Sequence, residues 1–144
     1  MDLVDKLRSQ KIRVLEIPKW GPYLRKQWEN HFASHLDLNE KSAIHMYDSG
    51  WFCGYLWHLF SYKRKDCLEG EKAIEAFNQE FKKDCYLFYQ HSDYALLVEN
   101  ADAMNFNHLV EEIGEDIYIV DKEFRWTFVM THETDYCGPY FSRG

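Results

Sequence analysis

Cys85-Tyr86-Leu87-Phe88-Tyr89-Gln90-His91-Ser92-Asp93-Tyr94-Ala95-Leu96-Leu97-Val98 is the stretch that decides the fold. Two apolar and aromatic runs, 85–89 and 94–98, flank the turn-forming residues Gln90 to Asp93, so they are predicted to pair as an antiparallel hairpin. Downstream, 117–120 and 124–131 repeat the pattern across Asp121-Lys122-Glu123, and the alternation places Phe124, Trp126, Phe128 and Met130 on one face. That face needs a cover. Between the hairpins, Phe106, Leu109, Val110 and Ile113 fall at i, i+3, i+4 and i+7, which predicts a helix capped by Asp102 or Asn105 with Gly114 just past its end.

Upstream, residues 2–9 read as a short polar helix and 12–17 as a strand stopped by Pro18. Pro22 opens a helix in which Leu24, Trp28, Phe32 and Leu36 recur every four residues, and a second helix is predicted over 39–47. A further helix over 71–82 would bury Ile74, Phe77 and Phe81 and turn Glu75, Gln79 and Lys82 to water. Residues 51–62 are apolar at both helical and strand spacing, and we read 55–62 as a central strand. The expected architecture is a single α+β domain over 1–144, with a mainly antiparallel sheet of five or six strands and helices packed mostly on one face. Its core is expected to hold Trp28, Phe32, Phe77, Phe81, Leu109, Ile113, Phe128 and Met130.

Composition narrows the function class. With 144 residues, 46% of them hydrophobic, and 10 Phe, 10 Tyr and 5 Trp, the chain can bury a core of its own. No run approaches the length of a membrane span, and Asp2, Asp5, Arg8, Arg13 and Glu16 interrupt any leader, so a cytoplasmic protein is expected. Cys53, Cys67, Cys85 and Cys137 lie far apart and read as reduced thiols. The net charge is −7, and residues 93–144 carry eleven acidic against three basic residues. That balance repels nucleic acid and favours either solubility or a basic protein partner.

Within the acidic third, Glu111, Glu112, Glu115 and Asp116 crowd the end of the predicted helix, where the macrodipole disfavours anions, so another reason for them is needed. Attraction of a basic partner is one such reason. His31 and His35 sit at i and i+4 but lack the glutamate of a zincin pair, and no metal site is expected. His132 and Glu133 close the last predicted strand, and Trp57 and His58 lie in the aromatic segment that could reach the same region. A histidine beside a carboxylate can move protons, yet no nucleophile motif accompanies them. Phosphate-cradling glycine motifs are missing from the sequence, so no cofactor is expected. The run Lys63-Arg64-Lys65 reads as a solvated exit from the core, and the apolar Tyr136-Cys137-Gly138-Pro139-Tyr140-Phe141 is expected to dock on the sheet or on a partner.

Three segments together carry a resemblance: Pro18-Lys19-Trp20-Gly21 running into Trp28, Leu56-Trp57-His58-Leu59-Phe60-Ser61-Tyr62, and Asp121 with Trp126-Thr127-Phe128 before Thr131-His132-Glu133. Over nearly its whole length the chain resembles a family of small bacterial proteins, the domain of unknown function DUF4275, which supplies no catalytic residues to carry over. Its layout is also similar in outline to immunity proteins that neutralise bacterial toxins. Two readings follow. The first is a protein-binding module that uses Glu111, Glu112, Glu115 and Asp116 with exposed aromatics. The second is a small enzyme or small-molecule binder with a pocket near His58, His132 and Glu133.

Overall fold

The structure is a computed structural model and describes residues 2–133 and 136–144. In chain order the elements are α1 (Leu3–Ser9), β1 (Arg13–Glu16), α2 (Gly21–Phe32), α3 (Leu38–Ala43), α4 (His58–Ser61), β2 (Leu68–Glu69) and α5 (Glu71–Gln79). Strands β3 (Cys85–Tyr89) and β4 (Ala95–Glu99) follow, then the 3₁₀ segments Ala101–Ala103 and Phe106–Glu112, and then β5 (Ile117–Asp121), β6 (Trp126–Met130) and β7 (Tyr140–Arg143). The strands form one sheet in the order β1-β4-β3-β5-β6-β7-β2, and every pairing is antiparallel.

The α+β antiparallel class is as the sequence indicates, and both hairpins form where the turn residues put them. The sheet has seven strands rather than five or six, because the apolar tail supplies β7 and the two-residue β2 pairs with it. Helices also cover both faces rather than mostly one. Along β5, Ile117 and Ile119 join a core under α1, α5 and the 3₁₀ segments, while Tyr118 and Val120 join a second core under α2 and α4. The apolar character of β5 and β6 on both alternations is what a doubly covered strand requires.

Four local expectations are corrected. Residues 55–62 hold helix α4 rather than a strand: Leu56, Trp57, Leu59 and Phe60 are buried, whereas His58, Ser61 and Tyr62 are not, which is a helical period. Phe124 leaves the face of Trp126, Phe128 and Met130, since its positive φ of 58° places it in the turn, where His31 stacks on it. The segment after Asn105 is a 3₁₀ helix, so Leu109 is buried but Val110 and Ile113 point outward; it ends at Glu112, which leaves Glu115 and Asp116 beyond it. Phe81 is exposed beyond the end of α5.

In its place Lys82 is buried, its ammonium donating to the carbonyl of Glu80 at 3.1 Å and lying 4.6 Å over the Phe77 ring. Burial pulls its pKa below the ordinary lysine value. A lysine that is harder to protonate when folded destabilises the fold below that lowered pKa. The penalty fades as pH rises toward the unfolded value. Lys82→Met is therefore expected to raise stability near neutral pH by roughly 1 kcal/mol. Denaturant titrations over a pH series should show the gain shrinking in the alkaline range, and a pH-independent difference would contradict this origin.

Two close approaches shape the pole where β3 turns into β4. Gly21 opens α2 with its N–H donating to the carbonyl of Asp93 at 2.8 Å, and a methyl group there would sit 2.8 Å from that same oxygen. Gly54 donates to Asp48 Oδ1 at 2.7 Å, and a Cβ on it would come within 2.6 Å of the Tyr47 Cα. Only glycine lets the two chain segments meet so closely. At the opposite pole Arg8 reaches from α1 to donate to the carbonyl of Val14 in β1 at 2.9 Å.

Candidate functional site

The register of the sheet assembles the site. Tyr89 opposes Ile117, and Ile117 opposes Met130, so the residues next beyond these pairs, Gln90, Asp116 and the segment leading to His132, gather at one end of β3, β5 and β6. The Gln90 N–H donates to the Asp116 carbonyl at 3.1 Å. The Asp116 carboxylate is the hub: its Oδ1 accepts from Trp57 Nε1 at 2.9 Å and from the His132 N–H at 2.9 Å, and it faces His132 Nδ1 at 3.0 Å. With Nδ1 turned to the carboxylate, Nε2 of His132 lies 3.5 Å from Glu133 Oε1.

Below this hub a buried polar network fixes the approach to α4. Tyr118, fully buried, donates to Gln90 Oε1 and accepts from the Trp57 N–H at 3.1 Å, while the Leu56 N–H donates to the same Gln90 oxygen at 2.9 Å. Burial, reinforced by Asp116, pushes the Tyr118 phenol well above its ordinary value, so it stays a neutral donor. Among the described residues no buried side-chain polar atom lacks a hydrogen-bond partner, which makes the segment a rigid support for its outer face.

On that outer face the rings form a belt. Tyr55 packs 5.0 Å from His132, 5.3 Å from His91 and 5.5 Å from His58, and His58 lies 4.6 Å edge-on to Trp57. Burial lowers the His58 pKa, although the carbonyl of His45 at 2.9 Å from its Nδ1 opposes the shift, so His58 is neutral at pH 7. The belt runs on through His45 to Phe52, and beyond it Trp51 stands 92% exposed, the most exposed of the large hydrophobic residues.

Two open clefts flank His91 and Gln90. One, of about 430 Å³, is lined by Tyr89, Tyr94, Glu112, Glu115 and Asp116, with no lysine or arginine in its wall. Burial and the two glutamates push the Tyr89 phenol up to about 12. The other, of about 480 Å³, runs along α2 past Arg25, Lys26 and Glu29 to Tyr47, Asp48 and Gly54.

Trp57, His58, Asp116, His132 and Glu133, singled out from the sequence, thus lie together, and Glu112 and Glu115 border them across the first cleft. Glu111 stands apart, paired with Lys6 at 2.9 Å. Asp116 is not a surface charge, its side chain being 11% exposed and engaged by Trp57 and His132. His31 and His35 do not work as a pair: His31 stacks on Phe124 and His35 faces the Arg64 carbonyl at 2.6 Å. Among the described residues no group of three or more His, Cys, Asp or Glu side chains is placed to hold a metal ion. The sequence reading missed Tyr55, Tyr89, His91 and Tyr94. Their signal was the aromatic density on either side of the 90–93 turn, and it becomes readable only once β5 is known to pair with β3.

The family model described as a domain of unknown function, DUF4275, matches residues 1–141. The chain belongs to the DUF4275 family. No curated protein and no solved structure matches this DUF4275 chain. No helix among its described residues is long and apolar enough to cross a membrane.

Proposed function

We propose that this DUF4275 chain is a cytoplasmic protein-recognition module that receives a basic segment of a partner protein at the β3–β4 pole. The observation that carries this reading is the cleft in which Glu112, Glu115 and Asp116 meet Tyr89, His91 and Tyr94 with no lysine or arginine among the described residues of its wall. Carboxylates beside aromatic faces suit a guanidinium or ammonium group, and unpaired negative charge speeds its capture. Exposed Trp51 and Phe52 add the kind of aromatic anchor that dominates protein interfaces. Neutralisation of a basic toxin is the finer form of the same reading.

A catalytic alternative rests on one observation, the Asp116–His132 pair with Nε2 outward, which is an arrangement suited to a general base. Against it, neither cleft beside the pair is lined by His58, His132 or Glu133. The binding reading is preferred on that ground.

The test is charge reversal at Glu112 and Glu115, neither of which is in a salt bridge among the described residues. Proteins retained by the wild-type chain from the native lysate should be lost by Glu112→Lys/Glu115→Lys. Association with the partner so identified should slow about tenfold or more on reversal, and in the wild type as salt rises. Retention and rates indifferent to both changes would refute the reading.

A further inference from the structure

The second cleft has a different chemistry. Arg25 and Glu29 stand one turn apart on α2, a spacing at which opposite charges commonly pair, yet they do not pair with each other. Arg25 instead spends a single nitrogen, Nη1, on the carbonyls of Tyr89 at 2.9 Å and Ser92 at 2.6 Å. Its Nε and Nη2 have no hydrogen-bond partner among the described residues. Glu29, only 6% exposed, likewise spends a single oxygen: Oε2 accepts from Lys41 Nζ at 2.8 Å and Tyr47 Oη at 2.5 Å. Its Oε1 has none. A half-engaged guanidinium and a half-engaged, nine-tenths buried carboxylate therefore line one cleft, each held in place by other groups.

The rest of the wall fits the same picture. Lys26 lies beside Arg25, and Asp48 and Asp93 also line the cleft, none of them in a salt bridge among the described residues. Met46, Leu56 and Pro22 supply apolar surface between the charged groups. Burial lowers the Arg25 pKa only against the pull of Asp93, Tyr118 and Asp48. Burial alone would raise Glu29, but the bonds from Lys41 and Tyr47 outweigh it and hold the carboxyl below its ordinary range. Glu29 is therefore ionised at neutral pH, and a guanidinium keeps its charge throughout the physiological range.

The geometry points to a binding site for a small zwitterion, an α-amino acid, whose carboxylate meets the free edge of Arg25 and whose ammonium meets Glu29 Oε1 while its side chain lies against Met46 and Leu56. Two fixed and opposite charges one helical turn apart recognise a ligand that carries both, and either charge alone satisfies only half of the site. Because Gly21 and Gly54 lock the turn and the 48–54 loop around the cleft, little ordering is needed on binding. This site meets the acidic cleft at Gln90 and His91, but neither Glu112 nor Glu115 lines it, so the charge reversal there is expected to leave amino-acid binding unchanged.

The experiment is ligand titration followed by amide chemical shifts of the full chain, using the common amino acids at millimolar concentration. At least one is expected to shift the amides of Gly54, Gln90 and His91 saturably. Its methyl ester and its N-acetyl derivative, each of which deletes one charge, should bind on the order of tenfold more weakly or worse. Arg25→Gln and Glu29→Gln should each lose binding to a similar degree. If either variant fails to fold by circular dichroism, the ester and N-acetyl comparison on the wild-type chain still decides. No saturable shift with any amino acid, or derivatives that bind as well as the parent, would overturn the proposal.

Discussion

Replacing Phe128 by alanine is expected to lower the unfolding free energy by about 3–5 kcal/mol. Phe128 is fully buried near the middle of β6, stacked at 4.3 Å on Phe77 of α5 and met edge-on by Phe106 at 6.2 Å. It therefore joins the sheet, α5 and the second 3₁₀ segment in one contact. Removing the ring leaves a cavity between elements that the backbone ladders on both sides of β6 prevent from collapsing. Urea denaturation followed by tryptophan fluorescence measures the loss. An unchanged midpoint would mean that Phe128 does not hold this position.

On the other face the largest effect is expected at Trp28. Its indole is fully buried among Phe32, Phe60 and Tyr118, with ring centres 5.2–5.8 Å away, and Nε1 donates to Thr127 Oγ1 at 3.0 Å. The Thr127 hydroxyl in turn donates to the Ile119 carbonyl at 2.9 Å, so the helix is tied to the two central strands by a polar relay inside an aromatic cluster. Trp28→Ala should cost about 3–5 kcal/mol. Trp28→Phe keeps most of the ring volume but leaves the Thr127 oxygen without its donor, and should cost about 1–2 kcal/mol. Equal losses for the two variants would show that the relay, rather than the packing, dominates at this site.

The contrast between these residues and others explains how far the sequence could be read. Trp28, Phe32, Phe77 and Phe128 sit in strongly periodic segments between clear turn signals, and all four are buried as their pattern implies. Ile113 and Phe81 follow the same arithmetic and are exposed, because one segment winds as a 3₁₀ helix and the other ends before Phe81. Neither boundary has a local cause that composition reveals. Residues 55–62 failed in the opposite sense. Apolar at every spacing, they take their conformation from the second core that they cover, and periodicity alone does not distinguish the two forms.

For the site, His132, Glu133, Trp57 and His58 were legible as polar or amphipathic groups at the ends of apolar runs. Asp116 drew attention for its charge, yet it works as the acceptor that binds Trp57 to His132. That role depends on strand neighbours far apart in sequence, since β5 pairs with β3 across the intervening β4 and the 3₁₀ segments. The cleft along α2 was invisible for the same reason. Arg25 and Glu29 look like any i, i+4 ion pair until Tyr89, Ser92, Lys41 and Tyr47 draw them apart.

The hydrogen bond from Arg8 to the Val14 carbonyl bears on the behaviour of many molecules together. β1 is an outermost strand, and an unpaired edge is a template onto which a second chain can add as a further strand. Arg8 occupies one of the carbonyls of β1, and the strand itself is short and charged at both ends, from Arg13 to Glu16. At the far edge β2 offers only two residues, too short a run to seed growth. Each rim thus offers a second chain little to pair with, and concentrated solutions of the folded chain are expected to resist strand-by-strand growth because of one guanidinium at one end and brevity at the other.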